Sequence, residues 1–142
     1  MSIWFKTPTR ASLNNALENT LASHLGINVS HVGDDFLVAN MPLIQQTSEG
    51  SGLLHGGSSL SLSETLGTLG ANACIDLSRQ RCLCMEINAN HIAAVNSGQV
   101  TAMARPVHIG AHSQVWRVEI RNDEDDLVCE SRLTLSMVST TQ

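Results

Sequence analysis

Apolar side chains recur at helical spacing in two stretches of the chain and alternate with polar ones through most of the remainder. Leu13, Leu17, Leu21 and Leu25 form one stripe, opposed by Asn14, Asn15 and Glu18, and predict a surface helix from Ser12 to Leu25, capped by Ser12 and ended by Gly26. Ile27 to Val29 and Phe36 to Met41 flank a Gly33-Asp34-Asp35 turn and read as a hairpin. A polar loop follows from Leu43 to Ser51. The longest helical pattern then runs through the stretch from Gly52 to Leu77, with Leu62, Leu66, Leu69, Ala73 and Leu77 on one side. Its other side carries Gly57, Ser61, Glu64, Thr68 and Ala71 where a surface helix would carry Lys, Glu and Gln. Such a helix is expected to be covered on both faces.

Four strand patterns complete the chain: Gln80 to His91, Val100 to Val107, Gln114 to Arg121 and Leu127 to Val138. Ser97-Gly98, Gly110 and the acidic tip from Asn122 to Asp126 separate them, and the tail from Ser139 is expected to fray. The order predicts an α+β fold, with an antiparallel sheet of consecutive hairpins and the central helix as its cover.

Composition narrows the function classes. A chain of 142 residues with 42% hydrophobic and 15% charged side chains reads as one folded domain spanning 1–142. Its net charge of −5 argues against nucleic acid or an anionic membrane as partner. The uncharged run from Gly50 to Ser63 is too polar and glycine-rich to span a bilayer, and MSIWFK is no signal peptide, so the expected location is cytoplasmic. The four cysteines lie in apolar segments. Only Cys82 and Cys84 are close, with no second pair, so buried small residues are expected rather than a metal site.

Glu64 is the only formally charged residue between Gly50 and Ile75. A solitary carboxylate among small neighbours is expected to be partly desolvated and more basic, which makes it a site candidate. Gly56 and Gly57 stand where that helix begins. Backbone N–H groups there lack helical partners and suit a developing oxyanion. His55 precedes them.

The block HGGSSLSLSETLG, with MEINANH, PVHIG and SRLTLSMV downstream, resembles the hotdog-fold acyl-CoA thioesterases of the PaaI type, in particular the bacterial 1,4-dihydroxy-2-naphthoyl-CoA and hydroxybenzoyl-CoA thioesterases. The resemblance covers roughly Leu13 to Val138. It implies a curved antiparallel sheet wrapped around a long central helix, protomers joined edge to edge with active sites at their interface, and a dimer of dimers. It implies that Glu64 attacks the thioester carbonyl or activates a water, that Gly56 polarises the carbonyl, and that Thr68 holds the carboxylate or water from the opposite subunit. His55 would orient the carbonyl or loop, or merely pack. Glu49, Gly57, His91, Ile92, His108, Ile109, Gly110 and His112 would contact substrate or CoA. Glu49 stands where relatives carry Gln, and Ala93 and His112 where they often carry Arg. No cofactor or metal is implied, since CoA is part of the substrate, and the acyl group is expected to be aromatic or medium-chain. The alternatives are a non-catalytic acyl-CoA-binding hotdog module and a hotdog hydratase.

Overall fold

The computed structural model describes residues 1–140. The elements run α1 (Arg10–Leu17), α2 (Leu21–His24), β1 (Asn28–Val32), β2 (Leu37–Pro42), α3 (Gly56–Ala73), β3 (Gln80–His91), β4 (Gln99–Ile109), β5 (Ser113–Arg121) and β6 (Leu127–Ser139). All six strands join one antiparallel sheet of order β1-β2-β4-β5-β6-β3, and α3 packs across it. The predicted α+β architecture is the one observed.

The strand order departs from a run of hairpins. β3 crosses to the far edge and pairs with β6, while β4 takes the place beside β2. The connection from His91 to Gln99 passes two strands, about 14 Å at the usual spacing, which its residues reach easily. It is pinned by Ile92 N–H donating to Val128 O and Leu54 N–H donating to Val95 O, both at 2.8 Å. β3 is therefore a 12-residue edge strand, with Leu83 and Met85 exposed on it. Alternation reports which face a side chain takes, not which strand lies beside it.

Three helix boundaries also differ. The first helix is two. Thr9 caps α1, with Ser12 returning a bond to the Thr9 N–H, so Ser12 closes a capping box instead of being the cap. Asn19 then adopts φ 58°, a conformation asparagine tolerates, and α2 restarts behind Thr20. Leu21 is consequently exposed while Leu13, Leu17 and Leu25 are buried. At its far end α3 stops at Ala73, and Leu77 lies exposed in the turn to β3. That turn is held by Asp76 Oδ1, which accepts from the Ser78 N–H at 3.0 Å and hydroxyl at 2.7 Å. The tail does not fray at Ser139, which belongs to β6, and Thr140 N–H donates to Arg79 O. Thr141 and Gln142 lie outside the described residues. No helix among the described residues is long and apolar enough to cross a membrane.

α3 seats deeply because two glycines meet large side chains. A Cβ on Gly70 would lie 2.7 Å from the Trp116 ring, and one on Gly67 would lie 3.1 Å from a Leu133 methyl. Trp116 is fully buried. Its Nε1 donates to Gln114 Oε1 at 2.7 Å, and Gln114 Nε2 donates to Ala71 O at 3.2 Å. Trp4 stacks on Trp116 with centroids 6.4 Å apart, and Phe5 N–H donates to Ala73 O. The last-turn carbonyls of α3, orphaned by helix geometry, thus find donors on the sheet and the N-terminal segment.

Gly70→Ala is expected to lower unfolding free energy by about 1–2 kcal/mol, because overpacking outweighs the helix-propensity gain. Urea denaturation measures it, with Gly67→Ala as a milder comparison since a Leu133 methyl yields more easily.

Candidate active site

The start of α3 is built by the loop before it. Thr47 is buried, and its carbonyl accepts from the His55 N–H at 2.9 Å and the Ser58 hydroxyl at 2.9 Å. Gly52 turns the chain at φ +86°, with its N–H donating to Glu49 O. His55 then caps the helix, its Nδ1 accepting from the Gly57 N–H at 2.8 Å. A Cβ on Gly57 would sit 2.9 Å from that nitrogen, so glycine is what lets the imidazole fold back. This bond makes His55 the N-cap of α3.

This cap decides which first-turn donors remain. Gly57 N–H goes to His55 Nδ1, and Ser58 and Ser59 N–H groups go to His55 O. Gly56 N–H has no acceptor among the described residues. Gly57 is therefore occupied where a substrate contact was expected, and Gly56 is the available donor. The His91 ring lies over it, 3.2 Å from where a Gly56 Cβ would stand. Gly56, Ser59, His91, Ile92 and Glu49 share a cavity of about 390 Å³. Glu49 is exposed there and accepts a hydrogen bond from the Ser51 hydroxyl.

Glu64 lies elsewhere. It lines a second cavity of about 410 Å³ with Thr68, Ser61 and Thr65 from α3 and Leu17, Thr20 and Leu21 from α1 and its junction with α2. Thr68 follows Glu64 by one turn on the same face, as its spacing requires. Within the single chain Glu64 is exposed, which corrects the expectation of desolvation: the residues that line the cavity leave the carboxylate open to solvent. Its near neighbour on β3 is Cys84, whose thiol donates to Glu86 O at 3.5 Å and feels the Glu64 charge. Burial first, then the Glu64 charge, pushes the Cys84 thiol above its ordinary range. Burial likewise pushes Cys74 up to about 12 and Cys82 up to about 11. Cys84 was missed as a site neighbour, because only the pairing of β3 with β6 places it against α3.

Gly56 and Glu64 are eight positions apart on one helix, about 12 Å along its axis. One thioester carbonyl cannot touch both. The second histidine group is separated too. His91 lies in the row of Cys129, Ile120 and Ala102, whereas His108 is six residues further along β4, about 20 Å away. His108 folds over Gly110, where a Cβ would meet its Nε2 at 2.5 Å, and Ile109 and His112 are exposed beside it. The chain thus brings together Gly56, His55, His91, Ile92 and Glu49 at one end, Glu64 and Thr68 mid-helix, and His108 to His112 at the opposite end. No group of three or more potential metal-binding side chains occurs among the described residues.

Residues 51–129 match the thioesterase superfamily. The chain belongs to that family. It is 38% identical over 136 residues to the 1,4-dihydroxy-2-naphthoyl-CoA hydrolase of Escherichia coli, covering 96% of this chain and 99% of the relative. The proofreading thioesterase EntH of Cronobacter turicensis is 39% identical over 136 residues, covering 96% and 98%. A thioesterase crystal structure from Haemophilus influenzae superposes with a TM-score of 0.95 at 42% identity, covering 99% of this chain and 97% of that one. The fold is the hotdog fold, and the protein is a thioesterase.

Two outcomes are expected of this geometry. His55→Ala should cost about 1 kcal/mol of stability through the lost cap, and His55→Asn should restore most of it, measured by chemical denaturation. Alkylation of Cys84 by iodoacetamide, followed by mass spectrometry at pH 8, should be slower than for free cysteine and should accelerate in Glu64→Gln, since removing the carboxylate charge favours the thiolate.

Proposed function

We propose that this thioesterase hydrolyses acyl-CoA thioesters to a free acid and CoA, with an aromatic or medium-chain acyl group such as 1,4-dihydroxy-2-naphthoyl among its substrates. The observation that carries the reading is the pairing of a free N–H donor at Gly56 with a solitary carboxylate at Glu64, on a helix that holds them too far apart to act together within one chain. Two copies joined so that Glu64 of one faces Gly56 of the other make a complete site, and the long edge strand β3 offers the backbone groups for such a join. A dimer of dimers is the assembly we expect.

In this reading the thioester oxygen accepts from Gly56 N–H, which stabilises the charge that develops on it. Glu64 either attacks the carbonyl carbon or takes a proton from the attacking water. In the general-base route the water oxygen bonds the carbonyl carbon, the carbon–sulfur bond breaks, and the CoA thiolate takes the proton that Glu64 removed. In the nucleophilic route Glu64 displaces the thiolate to give an acyl–Glu64 anhydride. Water hydrolyses that anhydride to the free acid and Glu64, and the proton released goes to the thiolate. A thiolate leaves readily, so one carboxylate suffices. Thr68, one turn on, orients the carboxylate or the water. His55 holds the loop, and His91 lies at the carbonyl. His108, Ile109, Gly110 and His112 serve the CoA moiety from another subunit, consistent with their distance from His91. The homologous hydrolase of 1,4-dihydroxy-2-naphthoyl-CoA and the EntH thioesterase support the reaction class.

Thiol release from a panel of aromatic and aliphatic acyl-CoAs tests this. Glu64→Gln should lower kcat at least about 100-fold, and Gly56→Val should also abolish turnover. Mixing the two inactive variants after subunit exchange should restore about a quarter of wild-type activity, because half the dimers are mixed and each holds one intact site. Full hydrolysis by Glu64→Gln would overturn the reading. Loss in both variants with no recovery on mixing would overturn the shared site.

A further inference from the structure

Four serines stand in the first two turns of α3, and their hydroxyls meet different fates. The Ser58 hydroxyl donates to Thr47 O and the Ser61 hydroxyl to Gly57 O, both at 2.9 Å. Ser63 is sealed in the core without a partner. Ser59 differs from all three. It is only 2% exposed, yet its hydroxyl makes no hydrogen bond among the described residues and is not sealed off. What remains open of it opens into the cavity that Ser59 lines with Gly56. The carbonyl one turn back that a helical serine usually reaches, His55 O, already accepts from the Ser58 and Ser59 N–H groups.

We propose that Ser59 is a catalytic residue whose hydroxyl is a second donor to the thioester oxygen, beside the Gly56 N–H. The inference rests on the reading above, in which Gly56 N–H receives that oxygen. Ser59 follows Gly56 by three residues, about 4.5 Å along the axis, on the same side of the helix. Helical side chains lean toward the N-terminus, so the Ser59 side chain stands over the turn that begins with Gly56. An oxygen held about 3 Å from the Gly56 nitrogen therefore lies within reach of the hydroxyl as well. Apart from Glu49 and His91, the rest of the lining is aliphatic, which strengthens a hydrogen bond made there. Glu49 stands at the exposed rim, engaged with the Ser51 hydroxyl. A nearly buried hydroxyl without a partner costs stability in the free chain, and a ligand oxygen removes that cost. Both donors are neutral and keep their protons. Their bonds strengthen as charge builds on the oxygen during attack and relax when the carbonyl reforms and the carbon–sulfur bond breaks.

The test compares wild type, Ser59→Ala and Glu64→Gln on benzoyl-CoA, with thiol release followed across KM. Ser59→Ala should lower kcat about 10- to 100-fold and leave KM within about twofold, since the lost bond matters most where charge develops. Its melting temperature should not fall, because the hydroxyl has no partner to lose in the free chain. Ser59→Cys fills the same place with a weak donor and should lie near Ser59→Ala. Infrared difference spectra of benzoyl-CoA, isotope-labelled at its carbonyl carbon and bound to Glu64→Gln, read the bond without turnover. The carbonyl stretch should lie below its value in water, and adding Ser59→Ala to Glu64→Gln should raise it. A Ser59→Ala kcat within about threefold of wild type, or a carbonyl stretch that does not move, would overturn the assignment. A fall in kcat together with a fall in melting temperature would overturn it too, as the mark of a packing role. Failure of the reaction reading has a different signature, which is full hydrolysis by Glu64→Gln. Ser59→Ala would still report its own donor through kcat in that case.

Discussion

The close seat of α3 on the sheet is the constraint on which the rest depends. Gly67 and Gly70 let the helix backbone approach Leu133 and Trp116 nearer than any side chain would permit. Trp116 brings a polar N–H into that contact, and a buried donor without an acceptor is expensive. Gln114 meets the need by accepting from Trp116 and donating to Ala71 O. One amide therefore ties the helix to β5 and fixes the rotation of α3 about its own axis. That rotation turns Leu62 and Leu66 into the core and Glu64 and Thr68 away from it. The position of the Glu64 carboxylate is thus settled by a tryptophan on the far side of the helix.

The other end of α3 shows how a cap can select a donor. A serine or aspartate at the N-cap would satisfy a first-turn N–H with an oxygen on a short side chain. Here an imidazole does so and needs Gly57 bare to reach back. The His55 carbonyl takes the next two N–H groups, which leaves the helix's positive end concentrated at Gly56. The end of β3 then lays the His91 ring against Gly56, and the crossover beyond it is anchored by Ile92 to Val128 and by Val95 to Leu54. Two segments distant in sequence thus meet at the start of α3. Glu64 is about two turns away along the helix.

Much of this was legible in the sequence, for identifiable reasons. The long helix and the last three strands announce themselves because their apolar periods are 3.6 and 2. Glu64 stands out because no other charge lies between Gly50 and Ile75. What escaped depends on partners the local pattern does not encode. The departure of β3 to the far edge leaves its alternation unchanged. Leu21 keeps a helical spacing that Asn19 breaks by turning left-handed, and Leu77 keeps the α3 period beyond the residue where Asp76 has begun a turn. Cys84 gains its place beside Glu64 only through that same edge position. His55 was read as a site histidine on its motif, and its use of Nδ1 as a cap needs the rotamer.

The small-residue composition of α3 has two causes that the sequence presents as one. Gly67, Gly70 and Ala71 are small because the sheet is close. Ser61, Thr65 and Thr68 are small on the side where Glu64 lines a cavity. The first set answers to packing, where an added methyl meets an indole or an isobutyl group at once. The second set lines the cavity beside the carboxylate. A helix can serve a core and a site together only if both faces surrender the long side chains that usually mark a solvent-facing surface. That double requirement is why the stretch after His55 reads as neither an ordinary amphipathic helix nor an ordinary buried one.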